Sequence, residues 1–322
     1  MLRLAKHEGV GNVVLEEVPM PEVGPRDVLV RVRRSLISRG SELGGRYLKH
    51  EAVDPSIMGY AAAGEIAQVG EHVAELAVGD PVAALKPHAQ FVVADLDDPL
   101  HPPMVVKLPP GVSLERGTFW PFGTSGVMWA ITAGIRPGDT VVVVGQGLVG
   151  CAMTQIVRRH EPGRVIAVDA LPLRCAIAAR LGADEVVDAS ATDPVAAVRE
   201  LTGERGAEVV IEAVGGSAGP KAFPQVQDMV APCGTILLLG LYQGEPLPLD
   251  AGKAMGHRIL GGWSAGLDRA QSSQASLDML ASGSLRNEEL ITHRFHCEQA
   301  REAFDLLAEH PETALGVILE WD

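Results

Sequence analysis

The stretch from residue 140 to residue 169 constrains the fold of this chain more than any other. A continuous run of valines, Val141–Val144, leads into a glycine-rich turn, and an apolar stretch then connects this turn to a second β-branched run. The turn has the spacing G-x-G-x-x-G, formed by Gly145, Gly147 and Gly150. Glycines at this spacing permit a tight turn, the approach of a pyrophosphate to the backbone and close packing of a helix on a strand. The stretch therefore predicts strand, turn, helix and strand, with a dinucleotide bound at the turn.

The residues around this turn also indicate which dinucleotide is bound. The predicted helix begins at Leu148 and Val149, where free N–H groups would face a phosphate. Asp169 follows the last glycine by about 20 residues, where a carboxylate accepts hydrogen bonds from ribose hydroxyls and repels a 2′-phosphate. The sequence therefore favours NAD over NADP. Arg174, on the following predicted helix, could soften this preference as a further cofactor-binding residue, but its helical position favours a solvated side chain.

Composition excludes several other classes of protein. The 322 residues suffice for about two domains. The formal net charge of −14 and the 4% aromatic content argue against nucleic-acid binding. No apolar run approaches the ~20 residues needed to span a bilayer, and the N-terminal stretch lacks the apolar region of an export signal. The four cysteines form no C-x-x-C pair and are expected as reduced core residues. We therefore expect a cytoplasmic protein with a small-molecule substrate and no membrane or nucleic-acid partner.

The hydrophobic pattern predicts two kinds of structure along the chain. Short alternating runs separated by glycines indicate a small β-barrel over about the first 115 residues. Strands then alternate with helices as far as residue 252, which predicts a doubly wound parallel sheet. Glu298–His310 has the period of an amphipathic helix, and Gly316–Trp321 reads as a last strand. The fold class is therefore α/β.

A series of short motifs accompanies the dinucleotide turn along the chain. In order, they are Gly59, Gly64-Glu65-Ile66, Gly70, Val73, Gly79-Asp80-Pro81-Val82, Gly126, Pro137-Gly138-Asp139, the dinucleotide turn and Leu181-Gly182-Ala183-Asp184. With these motifs the sequence resembles the medium-chain dehydrogenase/reductase superfamily, the group of zinc-binding alcohol dehydrogenases and quinone reductases, and Glu212 is a near match to an aspartate that this family often carries. The resemblance extends over nearly the whole chain and implies a GroES-like catalytic domain formed by residues 1–115 and 253–322, a Rossmann domain formed by residues 116–252, and an active site between them.

The departures from this family concern its zinc ligands. Where zinc members carry a cysteine, this chain has Ser38 or Arg39, depending on one residue of slippage. Their His-Glu pair is replaced by Tyr60-Ala61, and their third ligand by about Pro121. Residues 84–109 contain no cysteine, so the structural zinc lobe is missing too. A zinc site needs thiolate, imidazole or carboxylate ligands in tetrahedral reach, so we expect a member without zinc.

Without a Lewis acid, charge on a substrate oxygen must be stabilised by hydrogen-bond donors or cations. Tyr60 occupies a ligand position and could donate to the substrate, or its ring could merely fill the volume of the metal. Ser41 matches the Ser or Thr of the family's proton relay. His88 could relay a proton near neutral pH, although a lone loop histidine is more often structural or solvated. Arg39 could also act in the site, or pair with Glu42.

Three functions remain open on the sequence alone. The first is a zinc-independent, NAD(H)-dependent oxidoreductase that moves a hydride between the nicotinamide and a secondary alcohol or ketone. The second is an NAD(P)H-dependent enone or quinone reductase, because zinc-less members of this superfamily commonly reduce conjugated C=C bonds. The third is a non-catalytic dinucleotide-binding sensor. We also expect a homodimer, because the apolar segment Thr235–Leu241 resembles the sheet edge through which this superfamily pairs.

Overall fold

A computed structural model of the chain describes residues 1–98, 103–241, 246–262 and 266–322. The chain divides into two compact units. The terminal unit comprises Met1–Thr124 and Asp268–Asp322, and the central unit comprises Ser125–Leu267. Both ends of the chain thus build one unit. Among the described residues, no helix has the length and apolar character needed to cross a membrane.

The described ranges contain strands and helices in the following order. The strands are β1 (Leu2–Lys6), β2 (Val13–Glu17), β3 (Asp27–Ile37), β4 (Ala62–Val69), β5 (Pro81–Ala84), β6 (Phe91–Asp95), β7 (Val105–Lys107), β8 (Thr140–Val144), β9 (Arg164–Asp169), β10 (Glu185–Asp188), β11 (Ala207–Glu212), β12 (Val230–Leu238), β13 (Arg258–Gly261), β14 (Ile291–His296) and β15 (Gly316–Glu320). The α-helices are α1 (Leu114–Gly117), α2 (Trp120–Ala133), α3 (Leu148–Ile156), α4 (Pro172–Arg180), α5 (Pro194–Leu201), α6 (Gly219–Met229), α7 (Ala251–Ala254), α8 (Arg269–Ser282) and α9 (Ala300–Glu309). A π-helix spans Arg39–Tyr47.

The central unit is built on a parallel six-stranded sheet with the order β10-β9-β8-β11-β12-β13. Its strands are nearly continuous runs of Val, Ile and Leu because helices cover both faces of such a sheet. From β8 the chain first adds β9 and β10 on one side and then crosses to add β11 on the other. This reversal places a topological switch point between β8 and β11, where doubly wound folds bind their ligands. The predicted Rossmann architecture is confirmed.

The far side of this sheet differs from the prediction. We expected the apolar segment Thr235–Leu241 to resemble a sheet edge, but β12 pairs with β11 on one side and with β13 on the other. The outer strand is β13, which lies beyond residue 252 and therefore extends the central unit further than the pattern predicted. Its four residues are too few to show a strand period.

The terminal unit contains a β1–β2 hairpin and a mostly antiparallel seven-stranded sheet with the order β14-β15-β3-β4-β5-β7, in which β6 also pairs with β3. The central strand β3 is joined by β4, β6 and, from the C-terminal end of the chain, β15. Phe304 of α9 and Trp321 are completely or almost completely buried in the core beside these strands. The C-terminal segment thus forms one compact unit with the N-terminal strands.

The hydrophobic pattern did not predict one helix of this unit. Helix α8 shows almost no apolar stripe because three of its six buried residues are serines, and the others are Leu277, Met279 and Leu280. Ser273 accepts a hydrogen bond from the indole of Trp120, and Ser276 donates to the Trp120 carbonyl. These contacts tie the start of α2 to α8, and they explain why the terminal unit extends to Thr124 rather than ending near residue 115.

Candidate functional site

The dinucleotide turn connects β8 to α3 at the switch point of the parallel sheet. Gly145 has a φ of +89°, a left-handed conformation that glycine adopts without steric cost. A Cβ on Gly145 would lie 2.8 Å from Val214, which follows β11, and a Cβ on Gly150 would lie 1.7 Å from the Gly145 carbonyl oxygen. The first and third glycines therefore have structural roles within the turn, as the spacing predicted.

The second glycine is different, because no heavy atom of the surrounding described residues lies within 4 Å of the Cβ position of Gly147. Gly147 is also the N-cap of α3, and no side chain caps this helix. The first-turn N–H groups, including those of Leu148 and Val149, are thus not capped by a side chain. Open space beside the N-terminus of a nine-residue helix is the geometry that accepts a phosphate group. These residues fit a dinucleotide pyrophosphate.

Asp169 lies at the end of β9 with its carboxylate turned toward the same turn. One oxygen accepts a hydrogen bond from the Gln146 N–H at 2.6 Å, and the other accepts from the Leu171 N–H at 2.9 Å. The residue is only 8% exposed. Two backbone donors therefore hold the carboxylate in one orientation, while its remaining lone pairs are available to ribose hydroxyls.

Arg174 is not a solvated helix residue, so that interpretation was wrong. Its side chain is only 13% exposed, and its guanidinium lies 3.8 Å from the Asp169 carboxylate. Its buried Nε atom has no hydrogen-bond partner among the described residues. The helix α4 begins at Pro172 and packs against β9, which turns Arg174 toward Asp169. The two candidate cofactor residues are thus neighbours.

Glu212, the near match to the family's aspartate, ends β11 as a buried residue. Its carboxylate accepts a hydrogen bond from the Val214 N–H at 2.7 Å, and its carbonyl accepts from the N–H groups of Leu239 and Gly240. These bonds order the backbone that follows β11, beside Gly145. Glu212 therefore has a structural function at the edge of the dinucleotide turn.

In the terminal unit, Tyr60 lies beside the start of the π-helix. Its hydroxyl donates a 2.7 Å hydrogen bond to Ser38 Oγ, and its ring packs against Phe122 with 5.6 Å between centroids. Ser38 precedes the π-helix but does not cap it with its side chain, so its hydroxyl is available to Tyr60. The structure thus brings together Tyr60 and Ser38, which is one of the two candidates for the position of the family's cysteine.

The surroundings of Tyr60 keep its hydroxyl protonated. Burial raises the pKa of this phenol from 10.0 to about 12, although its hydrogen bond with Ser38 acts in the opposite direction. The negative charge of Glu42 raises the pKa further, whereas a hydrogen bond with Ser41 and the charge of Arg46 lower it. At neutral pH, Tyr60 is therefore a hydrogen-bond donor. Ser41, predicted to line the site, lies within this group.

His88 is placed in the protein interior, with no exposed side-chain surface. Its Nδ1 lies 2.8 Å from Ser35 Oγ and its Nε2 lies 2.9 Å from the Glu42 carboxylate. Both ring nitrogens are thus engaged by buried partners. In this geometry His88 is a buried, hydrogen-bonded residue and not an exposed proton donor.

Arg39 is the first residue of the π-helix, and its Nε donates a 3.0 Å hydrogen bond to the Leu307 carbonyl of α9. Glu42 uses one carboxylate oxygen for the Ser38 N–H at 2.8 Å and the other for His88. The structure therefore connects Arg39 to α9 and Glu42 to His88.

Ser35 and Trp321 also belong to this group, although no sequence pattern indicated them. Ser38 had been considered only as a candidate for the position of a zinc ligand. The Trp321 indole donates to Ser35 Oγ at 2.8 Å, from the other end of the chain. No local pattern connects these positions. The only sequence signal was the spacing of Ser38 and Glu42, which is that of an N-cap and a helix residue one turn later.

Comparisons with known proteins agree with this architecture. A family model described as zinc-binding dehydrogenase matches residues 149–282, and one described as alcohol dehydrogenase GroES-like domain matches residues 24–95. Together they match more than half of the chain. The second match falls within the segment for which the sequence predicted a β-barrel, and the first covers most of the predicted Rossmann segment and extends beyond its predicted end at residue 252.

Known proteins resemble the chain over its full length. A sorbitol dehydrogenase of Bacillus subtilis (strain 168) is 25% identical over 99% of this chain and 97% of its own. A probable D-xylulose reductase A of Aspergillus clavatus is 29% identical over 92% of this chain and 91% of its own. The solved structure of alcohol dehydrogenase TADH from Thermus sp. ATN1 has a TM-score of 0.82 at 27% identity and covers 99% of both chains.

The name of the first family model implies zinc, but the donor set does not fit this ion. Ser38, Tyr60 and Pro121 offer two hydroxyl groups and no thiolate, imidazole or carboxylate. Across the described ranges, no group of three or more His, Cys, Asp and Glu side chains could hold a metal. The dinucleotide turn, by contrast, fits its ligand. Fold, turn and relatives together show that this chain belongs to the medium-chain dehydrogenase/reductase family and is an enzyme of it, with the nicotinamide dinucleotide typical of these dehydrogenases.

Proposed function

We propose that this enzyme is a zinc-independent, NAD(H)-dependent oxidoreductase that interconverts a secondary alcohol and a ketone. The observation that carries the proposal is Tyr60. Its protonated hydroxyl stands at a position where zinc members carry a metal ligand, and it is held by a hydrogen bond to Ser38. A donor at this position can stabilise charge on a substrate oxygen, which is the work of the metal in the zinc enzymes.

The reaction in the reducing direction needs a hydride and a proton. The nicotinamide supplies the hydride to the carbonyl carbon when the cofactor is bound. The Tyr60 hydroxyl turns from Ser38 to the substrate and donates its one proton to the oxygen that gains charge, and the hydroxyl of Ser38 can then turn to donate to the phenolate. Ser41 is partly exposed, and its hydrogen bonding also favours the ionised phenol, so it can pass a proton between this pair and solvent. In the oxidising direction Tyr60 passes its own proton through Ser38 toward solvent as it accepts the proton of the alcohol.

The cofactor preference follows from Asp169. Its fixed carboxylate suits the free 2′-hydroxyl of NAD and repels the 2′-phosphate of NADP. The substrate class is supported by relatives whose names refer to sorbitol and D-xylulose, a polyol and a ketose. We therefore propose a small polyol or similar secondary alcohol as the substrate. The free thiols of all four cysteines suit a reducing compartment such as the cytoplasm.

Activity measurements with NADH and D-xylulose, and with NAD and sorbitol, test this proposal. In the responding direction, Tyr60→Phe keeps the ring but removes the donor, and we expect kcat to fall by about 100-fold. Tyr47→Phe is the matched control, because the Tyr47 hydroxyl donates to Asp305 rather than to Ser38. The control should lose stability but keep kcat. Equal kcat values for Tyr60→Phe and the wild type would reject Tyr60 as the donor.

Arg174 favours a second candidate, an NADPH-dependent enone or quinone reductase. The guanidinium lies beside Asp169, and its buried Nε lacks a partner among the described residues, so it could bind a 2′-phosphate. The test is NADPH oxidation with 2-cyclohexen-1-one and with 1,4-benzoquinone. Turnover of these compounds alone, with D-xylulose and sorbitol both inert, would favour the second candidate.

We also propose a homodimer. Strand β13 has a strand neighbour only on its β12 side among the described residues, so its other side leaves backbone groups for pairing. An outer strand of this kind is a template for a second copy of the chain, related by a two-fold axis.

A further inference from the structure

The imidazole of His88 is the centre of the buried polar group in the terminal unit. It makes hydrogen bonds to Ser35 and Glu42, and its ring meets the edge of Phe304 with 6.4 Å between centroids. His88, Ser35 and Glu42 are all almost completely buried. Burying a carboxylate is costly unless strong hydrogen bonds compensate for lost water. The arrangement therefore has to contribute something that an apolar core would not.

The partners define how the hydrogen atoms are arranged. The Trp321 indole can only donate, so Ser35 Oγ accepts from Trp321. The Ser35 hydroxyl then has its own hydrogen free to donate to His88 Nδ1. An ionised carboxylate can only accept, so His88 Nε2 carries the hydrogen that is directed at Glu42. Trp321 and Ser35 thus orient the imidazole toward Glu42.

Glu42 transmits this orientation to Ser38. Its second oxygen accepts from the Ser38 backbone N–H at 2.8 Å, while the Glu42 N–H donates to the Ser38 carbonyl at 2.8 Å. Ser38 is therefore held by Glu42 from both sides of its backbone. Since Ser38 Oγ receives the hydrogen bond of Tyr60, the position of Glu42 determines where that hydroxyl stands.

His88 also contacts the segment that precedes Tyr60. The backbone N–H of His88 donates to the Met58 carbonyl at 2.7 Å. Its ring occupies the space beside Gly59, where a Cβ would lie 2.6 Å from His88 Cδ2. Gly59 has a φ of +96°, so a larger residue there would be strained as well as blocked. The same imidazole thus supports both partners of the Tyr60–Ser38 hydrogen bond.

We propose that His88 is a positioning residue that acts through Glu42 to hold Ser38 and Tyr60 in the geometry needed for proton donation to the substrate oxygen. This inference rests on the proposed function, because it assigns to His88 the task of placing the proton donor of that reaction. His88 itself does not touch the substrate. It differs from an ordinary core residue in that its loss should reduce turnover through Tyr60.

Two matched substitutions separate the hydrogen bonds of His88. The amide of His88→Gln can reach the position of Nε2 and still donate to Glu42, whereas that of His88→Asn reaches only the position of Nδ1 and keeps Ser35. We expect His88→Asn to lower kcat with NADH and D-xylulose by about tenfold, and His88→Gln to stay within about twofold of the wild type. His72→Asn, a substitution of an exposed histidine, is the control.

A double-mutant cycle tests whether His88 acts through Tyr60. In the Tyr60→Phe background, His88→Asn should change kcat by less than about twofold, because the donor that it positions is already lost. Thermal stability should fall equally in both backgrounds. If His88 has a purely structural role, His88→Asn should lower stability and should lower kcat by the same factor in the Tyr60→Phe background as in the wild type.

The outcomes separate this inference from the proposed function. If Tyr60→Phe keeps the wild-type kcat, both are rejected. If Tyr60→Phe lowers kcat but His88→Asn and His88→Gln behave alike, or the two effects multiply, only the role of His88 is rejected. Should His88→Asn fail to fold, Glu42→Gln serves in the same cycle with the same expected loss of turnover.

Crystal structures of the variants give a second readout that is independent of the substrate. We expect His88→Gln to retain the hydrogen bond between Tyr60 Oη and Ser38 Oγ, and Glu42→Gln or His88→Asn to lengthen it beyond hydrogen-bond distance. An unchanged bond in a variant that has lost the Glu42 contact would overturn the proposal.

Discussion

Two glycine-to-alanine substitutions in the dinucleotide turn, only three positions apart, should separate effects on stability from effects on cofactor binding. The Cβ of Gly150→Ala would lie 1.7 Å from the Gly145 carbonyl oxygen, whereas that of Gly147→Ala would have no heavy atom within 4 Å. The backbone of Gly147 has a φ of −71°, which alanine adopts freely. The two variants should therefore fail in different ways.

The expected magnitudes follow from these contacts. For Gly150→Ala the helix must move away from the strand, and we expect a loss of at least about 3 kcal/mol in the free energy of unfolding. For Gly147→Ala the only structural cost is a poorer N-cap, which is about 1 kcal/mol or less. Its methyl group, however, fills the space where the pyrophosphate approaches. Each weakened charge-assisted hydrogen bond costs about 1.5–3 kcal/mol, so the Kd for NADH should rise at least tenfold.

The assays are urea unfolding of the cofactor-free protein and titration with NADH followed by fluorescence. Gly150→Ala should unfold at lower urea concentration than the wild type, and Gly147→Ala should unfold close to it but bind NADH weakly. A Gly147→Ala variant that binds NADH like the wild type would show that no phosphate approaches this helix N-terminus, and the assignment of the turn would be refuted.

Four further outcomes are expected. The ratio of kcat/KM for NADH over NADPH should be at least about 10, which is ~1.4 kcal/mol of transition-state binding, and Asp169→Ser should narrow it; equal use of both cofactors by the wild type would contradict the role of Asp169. Metal analysis should find no stoichiometric zinc, and chelators should leave activity unchanged; one zinc per chain would refute the metal-free site. Because burial raises the pKa of Tyr60 to about 12, the rate of carbonyl reduction should not fall through Tyr60 deprotonation below about pH 10. The unfolded state loses this proton near pH 10 and the folded state only near pH 12, so the free energy of unfolding should fall between these values. The test is the pH profile of kcat for the wild type, and the pH profile of the free energy of unfolding for the wild type and Tyr60→Phe. Light scattering at micromolar concentration should return a dimer, and a monomer would contradict the pairing of β13.

The dinucleotide site was readable from the sequence because its parts are local. The strand, the three glycines, the helix and Asp169 follow one another within a single β-α-β unit. Each glycine has a reason that depends on nearby backbone, such as the contact of Gly150 with the Gly145 carbonyl. The parallel sheet was readable for the same reason, since buried strands are continuous β-branched runs.

The limits of the sequence appear where burial is not apolar or where an element is short. Helix α8 buries three serines as well as apolar residues, so its pattern shows no clear apolar stripe although six of its 14 residues are buried. Strand β13 has only four residues, and it occupies the edge of the sheet at which the apolar pattern had placed β12. Arg174 lies on a helix whose orientation toward Asp169 depends on how α4 packs on β9.

The candidate catalytic group was predictable only in part. The expectation that the zinc ligands are replaced, and the choice of Tyr60 and Ser41 as candidates, came from matching residues along the chain. Which of these residues touch was decided by the tertiary structure alone, because Ser35, Glu42, His88 and Trp321 come from different segments that only the β3–β15 sheet and the π-helix bring together. A hydrogen bond forms between side chains that are close in space, and periodicity reports only which side of an element is buried. The sequence by itself therefore determined the fold class and the cofactor turn, and the three-dimensional packing decided that His88 is buried and that Tyr60 is held by Ser38.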